Sequence, residues 1–134
     1  MQIRSVVLFT GIAVAFAAAP AFAHHSFAAE YDSAKPITVK GEVTKVEWMN
    51  PHARFYVDVK DEGGKVTNWE FELGSPNGLM RRGWTRNSLK TGDTITVDGY
   101  LAKDGARLAN ARTVALADGR KVFAGAAEDG GPSK

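Results

Sequence analysis

Apolar and polar residues alternate in five separate stretches of this chain, and this pattern constrains the fold more than any other feature of the sequence. In the first stretch Ile37, Val39 and Val43 alternate with polar or charged residues. A period of two is that of a β-strand with one buried face. The same alternation recurs at residues 53–59, 67–73, 95–101 and 108–116. The sequence therefore predicts an all-β domain of five strands.

One short helix is predicted between the third and fourth strands. Ser75 can accept hydrogen bonds from the free N–H groups of a first helical turn, and Pro76 suits the position that follows. Gly83 is a plausible stop, and Leu79 and Met80 are the apolar residues available for contact with the core.

The first strand is predicted to be long and bent. Val46 and Trp48 continue its apolar face one residue out of step, which is typical of a bulge. A bent first strand, five strands in all and a helix after the third match the five-stranded OB-like barrel. An antiparallel sandwich or a meander is the alternative. The chain is predicted to consist of a secretory signal at residues 1–23, an N-terminal segment with candidate metal ligands at 24–36, the barrel at 37–123 and a disordered tail at 124–134.

The first 23 residues have the pattern of a cleavable secretory signal. A positive start with Arg4 precedes an apolar run at residues 6–18, and Ala21-Phe22-Ala23 is a small-x-small cleavage site. We therefore expect an exported, periplasmic protein that begins at His24. No later apolar stretch approaches the roughly 18 residues of a transmembrane helix, so none is expected in the mature chain.

Several short motifs resemble a family of small bacterial periplasmic proteins of unknown function. The resemblance extends over residues 24–125, and this sequence departs from the family pattern modestly, with Met49 before the Asn-Pro-His motif. It implies an exported domain with these boundaries and supplies no mechanism. The motifs are His-His-Ser-Phe at 24–27, Val-Thr-Lys-Val-Glu-Trp at 43–48, Asn-Pro-His at 50–52, Trp-Glu-Phe-Glu at 69–72 and Arg-Gly-Trp-Thr at 82–85.

All three histidines lie outside the predicted strands, at the expected new terminus or in a turn. His24 would offer an α-amine and an imidazole nitrogen to one metal ion, and His52 would add a third nitrogen; His25 could replace either. Such a histidine brace suits copper by geometry and by the affinity order for nitrogen ligands. Nearby residues offer extra donor atoms: Met49, Asp32 and Glu30. The alternative is that His24 and His25 belong to an unstructured start and that His52 only hydrogen-bonds across its turn.

A second set of residues is aromatic and basic, and it predicts a metal-free binding module as the rival function. Its candidate ligand-binding residues are Trp84, Arg81 and Arg82. An OB-like surface of this kind can hold a protein, glycan or lipid partner, whereas export and a net charge of only +2 argue against nucleic acid. Core tryptophans and a solvated helix end explain the same residues without a site. Glu70 and Glu72 are expected on a solvent-exposed strand face.

Catalysis is the less favoured interpretation. The sequence shows neither a serine or cysteine nucleophile motif nor a phosphate-binding glycine loop. A copper monooxygenase-like enzyme would also need an open coordination position and a substrate surface. The sequence thus predicts copper binding or delivery through an N-terminal histidine site, ahead of the metal-free module and of the enzyme.

Overall fold

A computed structural model of the protein describes residues 27–125, which form two short helices and six strands. The predicted leader at residues 1–23, both N-terminal histidines and residues 126–134 of the predicted tail lie outside this range. In chain order the elements are α1 (Phe27–Glu30), β1 (Tyr31–Glu47), β2 (Arg54–Lys60), β3 (Val66–Glu72), α2 (Pro76–Arg81), β4 (Thr94–Ala102), β5 (Leu108–Ala115) and β6 (Lys121–Phe123).

Five of the strands form a closed ring. The sheet order is β3-β2-β1-β4-β5-β6, and a further pairing between β3 and β5 closes the ring. That closing pair is parallel, with Glu72 opposite Asn110, whereas the other neighbours are antiparallel. With α2 between β3 and β4, this is the predicted OB-like arrangement, a ring rather than a sandwich or a meander.

The first strand begins at Tyr31 and not at Ile37. Tyr31 pairs with Ala102 of β4, and regular pairing resumes at Pro36 after a shift of register. The residues between them are polar or small and do not alternate, so the sequence pattern hides this part of the strand.

The two elements that the prediction lacks are α1 and β6. Each has only three or four residues, which is too short for a periodic pattern to appear. Strand β6 pairs with β5 through Phe123 opposite Thr113 and Val122 opposite Val114.

A bulge and a glycine bend the first strand, as predicted. The register of β1 against β2 shifts between Val43 and Lys45. At Gly41 an added Cβ would overlap the carbonyl oxygen of Asp58 and would lie 2.7 Å from Cγ1 of Val57. The backbone of β1 can therefore approach β2 this closely only where no side chain intervenes.

The core lies inside the ring and under α2. Phe55 and Phe71 stack across β2 and β3 with ring centres 5.3 Å apart. The side chain of Ser75 caps α2 by accepting from the N–H of Gly78 at 3.2 Å, as predicted. Leu79 is fully buried, but the expectation that Met80 also contacts the core is wrong, since Met80 is 50% exposed. Adjacent helical residues point about 100° apart, so a helix this short buries only one of them.

No helix within residues 27–125 combines the length and the apolar character needed to cross a membrane.

Candidate functional site

His52 lies in the turn between β1 and β2, after the cis peptide bond between Asn50 and Pro51. Its Nδ1 is 2.9 Å from the carbonyl oxygen of Leu73. A carbonyl oxygen can only accept, so Nδ1 carries the hydrogen and donates it. In the neutral ring Nε2 then keeps its lone pair. The side chain is 30% exposed, so His52 lies at the edge of the core.

Backbone hydrogen bonds hold this turn against the end of β3. The N–H of Ala53 donates to the carbonyl oxygen of Gly74 at 3.1 Å, and the N–H of Leu73 donates to that of Ala53 at 2.9 Å. The N–H of Gly74 in turn donates to Ala124 at 2.8 Å. These bonds continue the β2–β3 ladder past its last pair and fix the carbonyl that orients His52.

Glu72 is buried beside His52, which corrects the expectation that it lies on a solvent-exposed face. The residue is 7% exposed. Its Oε1 is 3.9 Å from Nδ1 of His52, and its Oε2 is 3.3 Å from Nη2 of Arg54. Burial raises the pKa of the Glu72 carboxyl; His52 and Arg54 act in the opposite direction, and Glu30 adds to the increase.

The reason for this burial is long-range packing on the outer face of the ring. Glu72 faces outward, as the alternation predicts, but it stands where β3 joins β5 and where the start of β1 passes. Glu70, two residues earlier on the same face, keeps a 27% exposed side chain and pairs with Arg54 at 2.5 Å. The expected exposure to solvent on this strand face therefore describes Glu70 better than Glu72.

Tyr31 covers Glu72 from the first strand. It is 2% exposed, and its hydroxyl has no hydrogen-bond partner among residues 27–125. Its ring stacks on Phe27 at 5.7 Å, and Phe27 meets Tyr100 edge-on at 5.8 Å. Burial raises the pKa of the Tyr31 hydroxyl, and the neighbouring charges of Glu72 and Glu30 raise it further.

The charges around His52 are mainly negative. Glu70 and Glu72 share the guanidinium of Arg54, and Glu30 acts on both Glu72 and Tyr31. Two carboxylates thus share one guanidinium, and a third carboxylate acts on Glu72. Such a surface attracts cations more than anions.

His52 is the one predicted histidine ligand within the described range, because His24 and His25 lie outside it. Among residues 27–125, no three histidine, aspartate or glutamate side chains are grouped so as to hold a metal ion. His52 and Glu72 are the pair that does come together. Any site at His52 therefore needs donors from elsewhere in the chain.

The aromatic and basic residues do not form one exposed surface. Trp84 is 3% exposed, and its Nε1 donates to the carbonyl oxygen of Phe123 at 2.8 Å, so it belongs to the core. Arg82 packs over the ring of Phe123, 4.5 Å from its centre, while Arg81 is exposed at the end of α2. Trp84 therefore presents no exposed ring to a ligand, as the alternative of a core tryptophan expects.

Two functional candidates, Tyr31 and Glu72, are missed by reasoning from the sequence alone. Tyr31 lies in a stretch without alternation, and Glu72 has the position of an outward residue. The signal that could have found them is the aromatic residue Phe27 just before Tyr31, because two aromatic rings in a polar lead indicate a segment that packs on the domain.

Comparisons with known proteins identify a family and find a similarity to a solved structure. The model of a family of unknown function (DUF6152) matches residues 13–111. The search of curated proteins found no match. The chain is similar to a crystal structure of the mitochondrial single-stranded DNA binding protein Rim1 from S. cerevisiae, with 7% identity and a TM-score of 0.48. The similarity covers 61% of this chain and 92% of that one.

Proposed function

Because the chain belongs to DUF6152, a family of unknown function, we propose its role from the site itself: an exported, periplasmic protein that binds copper and stores or delivers it. The ion is held by the α-amine and imidazole of His24 and by Nε2 of His52. His25 is the substitute ligand. The role needs affinity and no catalysis.

The observation that carries this proposal is the orientation of His52. A metal-binding histidine usually donates its second ring N–H to a carbonyl or a carboxylate, which fixes the ring and makes the ligating nitrogen more basic. His52 makes this bond to Leu73 at 2.9 Å, with Glu72 3.9 Å from the same nitrogen. A histidine that only stabilised its turn would not need a buried carboxylate beside it.

The length of chain between His24 and the site supports the second part of the proposal. His24 precedes Phe27 by three residues, and Phe27 packs on Tyr31, whose neighbour Glu72 lies beside His52. Three residues of extended chain span about 10 Å. The proposed site requires this reach to extend from Phe27, past Tyr31 and Glu72, to the His52 ring.

Export supports the amine ligand. The leader pattern at residues 1–23 ends in a small-x-small site directly before His24. Cleavage there would free the α-amine that the proposed site uses. Two nitrogens from His24 and one from His52 make a set that copper prefers among common divalent metals.

Copper(II) titration of the processed protein tests the proposal. The full gene is expressed in a bacterial host, the protein is purified from the periplasm, and its intact mass fixes the terminus. We expect one copper per chain when the chain starts at His24, and binding weaker by 10-fold or more in His52→Ala.

A chain whose His24 amine is acetylated is the matched control, because it keeps all three imidazoles and removes only the amine as a ligand. We expect it to lose tight binding as well. Equal affinity in the wild type, His52→Ala and the acetylated chain would contradict the proposal. It would leave the metal-free module for a protein, glycan or lipid partner as the working function.

Nucleic acid is not the proposed partner. Carboxylates lie on the outward faces of β2 and β3, at Asp58 and Glu70. A phosphate backbone would be repelled from them.

A copper monooxygenase-like activity is the remaining alternative. It requires oxygen consumption by the copper-loaded protein and a reductant above the rate of free copper.

A further inference from the structure

Strand β1 has a free edge on the side of β2. Its pairing with β2 ends at Glu42 opposite Asp58, whereas its pairing with β4 continues to Pro36. The two strands approach closely at Gly41 and diverge beyond it. Among residues 27–125, no strand therefore lies opposite the β2-side edge of β1 at positions 36–41.

The backbone of β1 directs polar groups into this gap. The N–H of Val43 donates to the carbonyl oxygen of Asp93 at 2.9 Å, so the backbone groups of the odd-numbered residues face β4. Backbone groups of successive strand residues face opposite edges, and those of Thr38 and Lys40 therefore face the gap. Pro36, which lacks an N–H, faces the same way, as proline in a sheet does at an edge. An added strand could pair with this edge.

The inward side chains beside the gap are only partly covered. Val43 and Val57, where β1 and β2 are paired, are fully buried. Ile37 and Val39 lie on the same inward face of β1 and pack against the core, but they are partly exposed. A strand laid in the gap would cover them with every second side chain, and burial of this apolar surface would favour its binding.

The open part of the gap carries positive charge. A depression of about 390 Å³ over the gap is lined by Lys40 and Lys60, with Glu42 and Asp58 at its closed end. Neither lysine forms an ion pair within the described part of the chain. Asp58 already accepts a hydrogen bond from the side-chain amide of Asn68 at 2.7 Å. Carboxylates on an added strand would therefore complement the two lysines.

We propose that the free edge of β1 at residues 36–41 binds an extended acidic segment of a partner protein by strand addition. Apolar side chains of that segment cover Ile37 and Val39, and acidic side chains between them face Lys40 and Lys60. This interaction goes beyond copper binding and does not depend on it.

Amide hydrogen exchange of the protein purified from the periplasm, followed by NMR, tests the proposal. The probes are two short peptides, one of alternating valine and glutamate and one of alternating valine and lysine. We expect a saturating concentration of the acidic peptide to slow exchange at Thr38 and Lys40 about 10-fold or more, because their N–H groups become hydrogen-bonded. Val39 and Gly41 are internal controls, since their N–H groups already face β4.

Lys40→Glu tests the charge, with Arg81→Glu on α2 as the control of equal net charge. We expect Lys40→Glu to weaken binding of the acidic peptide about 5-fold or more and Arg81→Glu to leave it within about 2-fold. Unchanged exchange at Thr38 and Lys40, or equal protection by the two peptides, would overturn the proposal. Protection that grows with protein concentration in the absence of peptide would also overturn it, because a second copy of the chain would then occupy the edge.

Discussion

At the scale of single residues, some polar groups of the site have good hydrogen-bond partners and others do not. His52 has a good acceptor at Leu73, and Arg54 has a close partner in Glu70. The Tyr31 hydroxyl has none in the described chain. An unsatisfied buried hydroxyl costs about 1–3 kcal/mol of stability. This hydroxyl therefore makes the domain less stable than its packing alone would make it.

Removing that hydroxyl should stabilise the metal-free protein. We expect Tyr31→Phe to raise the free energy of unfolding by about 1 kcal/mol, because the aromatic packing on Phe27 remains and an unpaired polar group disappears. Urea unfolding of the metal-free variant and of the metal-free wild type measures this difference in the free energy of unfolding.

The matched control is Tyr56→Phe, whose hydroxyl does have a partner. It donates to Oε2 of Glu47 at 3.3 Å and lies on the outer face. We expect no gain in stability from this variant. A loss of stability in Tyr31→Phe equal to that of a well-bonded tyrosine would show that its hydroxyl is satisfied.

The sequence identified His52 but neither Tyr31 nor Glu72. A histidine after Asn-Pro is visible as a turn residue, whatever the fold. The burial of Glu72 depends instead on Tyr31 and on the β3–β5 pairing, which join parts of the chain far apart in sequence. The alternation of apolar and polar residues predicts the face of a strand on which a residue lies. It does not predict whether another part of the chain packs over that face.

At the scale of elements, one carboxylate on β4 contacts three other strands. Asp98 of β4 accepts from the hydroxyls of Thr38 on β1 and Thr113 on β5, each at 2.8 Å. Lys121 of β6 lies 2.9 Å from the same carboxylate. The Lys121 bond contributes most to lowering the pKa of Asp98, and the two threonine bonds add to it.

These bonds predict a dependence of stability on pH. A carboxyl with a lowered folded-state pKa stabilises the fold fully above its ordinary value of 3.8, and this stabilisation is lost as the pH falls through the lower folded value. Since the Asp98 side chain is 37% exposed, we expect Asp98→Asn to lower the free energy of unfolding by only about 1 kcal/mol at pH 7. The variant should also lose less stability than the wild type as the pH falls below about 4.

Thermal unfolding between pH 7 and pH 2 measures this effect. Glu62→Gln, in the exposed turn between β2 and β3, is the control and should follow the wild-type curve. If the unfolding temperature of Asp98→Asn fell with decreasing pH as steeply as that of the wild type, the role of Asp98 would be contradicted.

The long, alternating elements were predictable, and the short or irregular ones were not. The strands around Phe55, Phe71 and Val97 alternate cleanly and were identified. The start of β1 at Tyr31 was not predicted because its polar residues take part in an irregular pairing with β4. Strand β6 was not predicted because three residues form a strand only through pairing with a neighbouring strand.

At the scale of the whole molecule, the ring depends on close approach between strands. Gly41 lies where β1 passes from its pairing with β4 to its pairing with β2, and its Cα faces the backbone at Asp58. Gly99 has the same relation to Asn110 of β5. Closure of the ring therefore requires glycine at two places, one on β1 facing β2 and one on β4 facing β5.

Gly41→Ala should destabilise the fold severely. The new Cβ would overlap a carbonyl oxygen of β2, which is backbone and cannot move without distorting the ladder. We expect a loss of more than about 2 kcal/mol in the free energy of unfolding. Gly63→Ala is the matched control; its Cβ would come no closer than 3.4 Å to Oδ1 of Asp61, and we expect a change within about 0.5 kcal/mol. Similar losses in both variants would contradict the argument from closure.

The parallel pairing of β3 with β5 is the shortest of those in the ring. It joins three residue pairs, from Glu70 with Leu108 to Glu72 with Asn110, whereas β2 and β3 share seven. The fewest hydrogen bonds hold the ring there, so local breathing and amide exchange should begin at that seam. Glu72 is its last residue on β3, so the burial of its carboxylate depends on the place where the ring opens most readily. Opening of the seam and hydration of that carboxylate would then be one event.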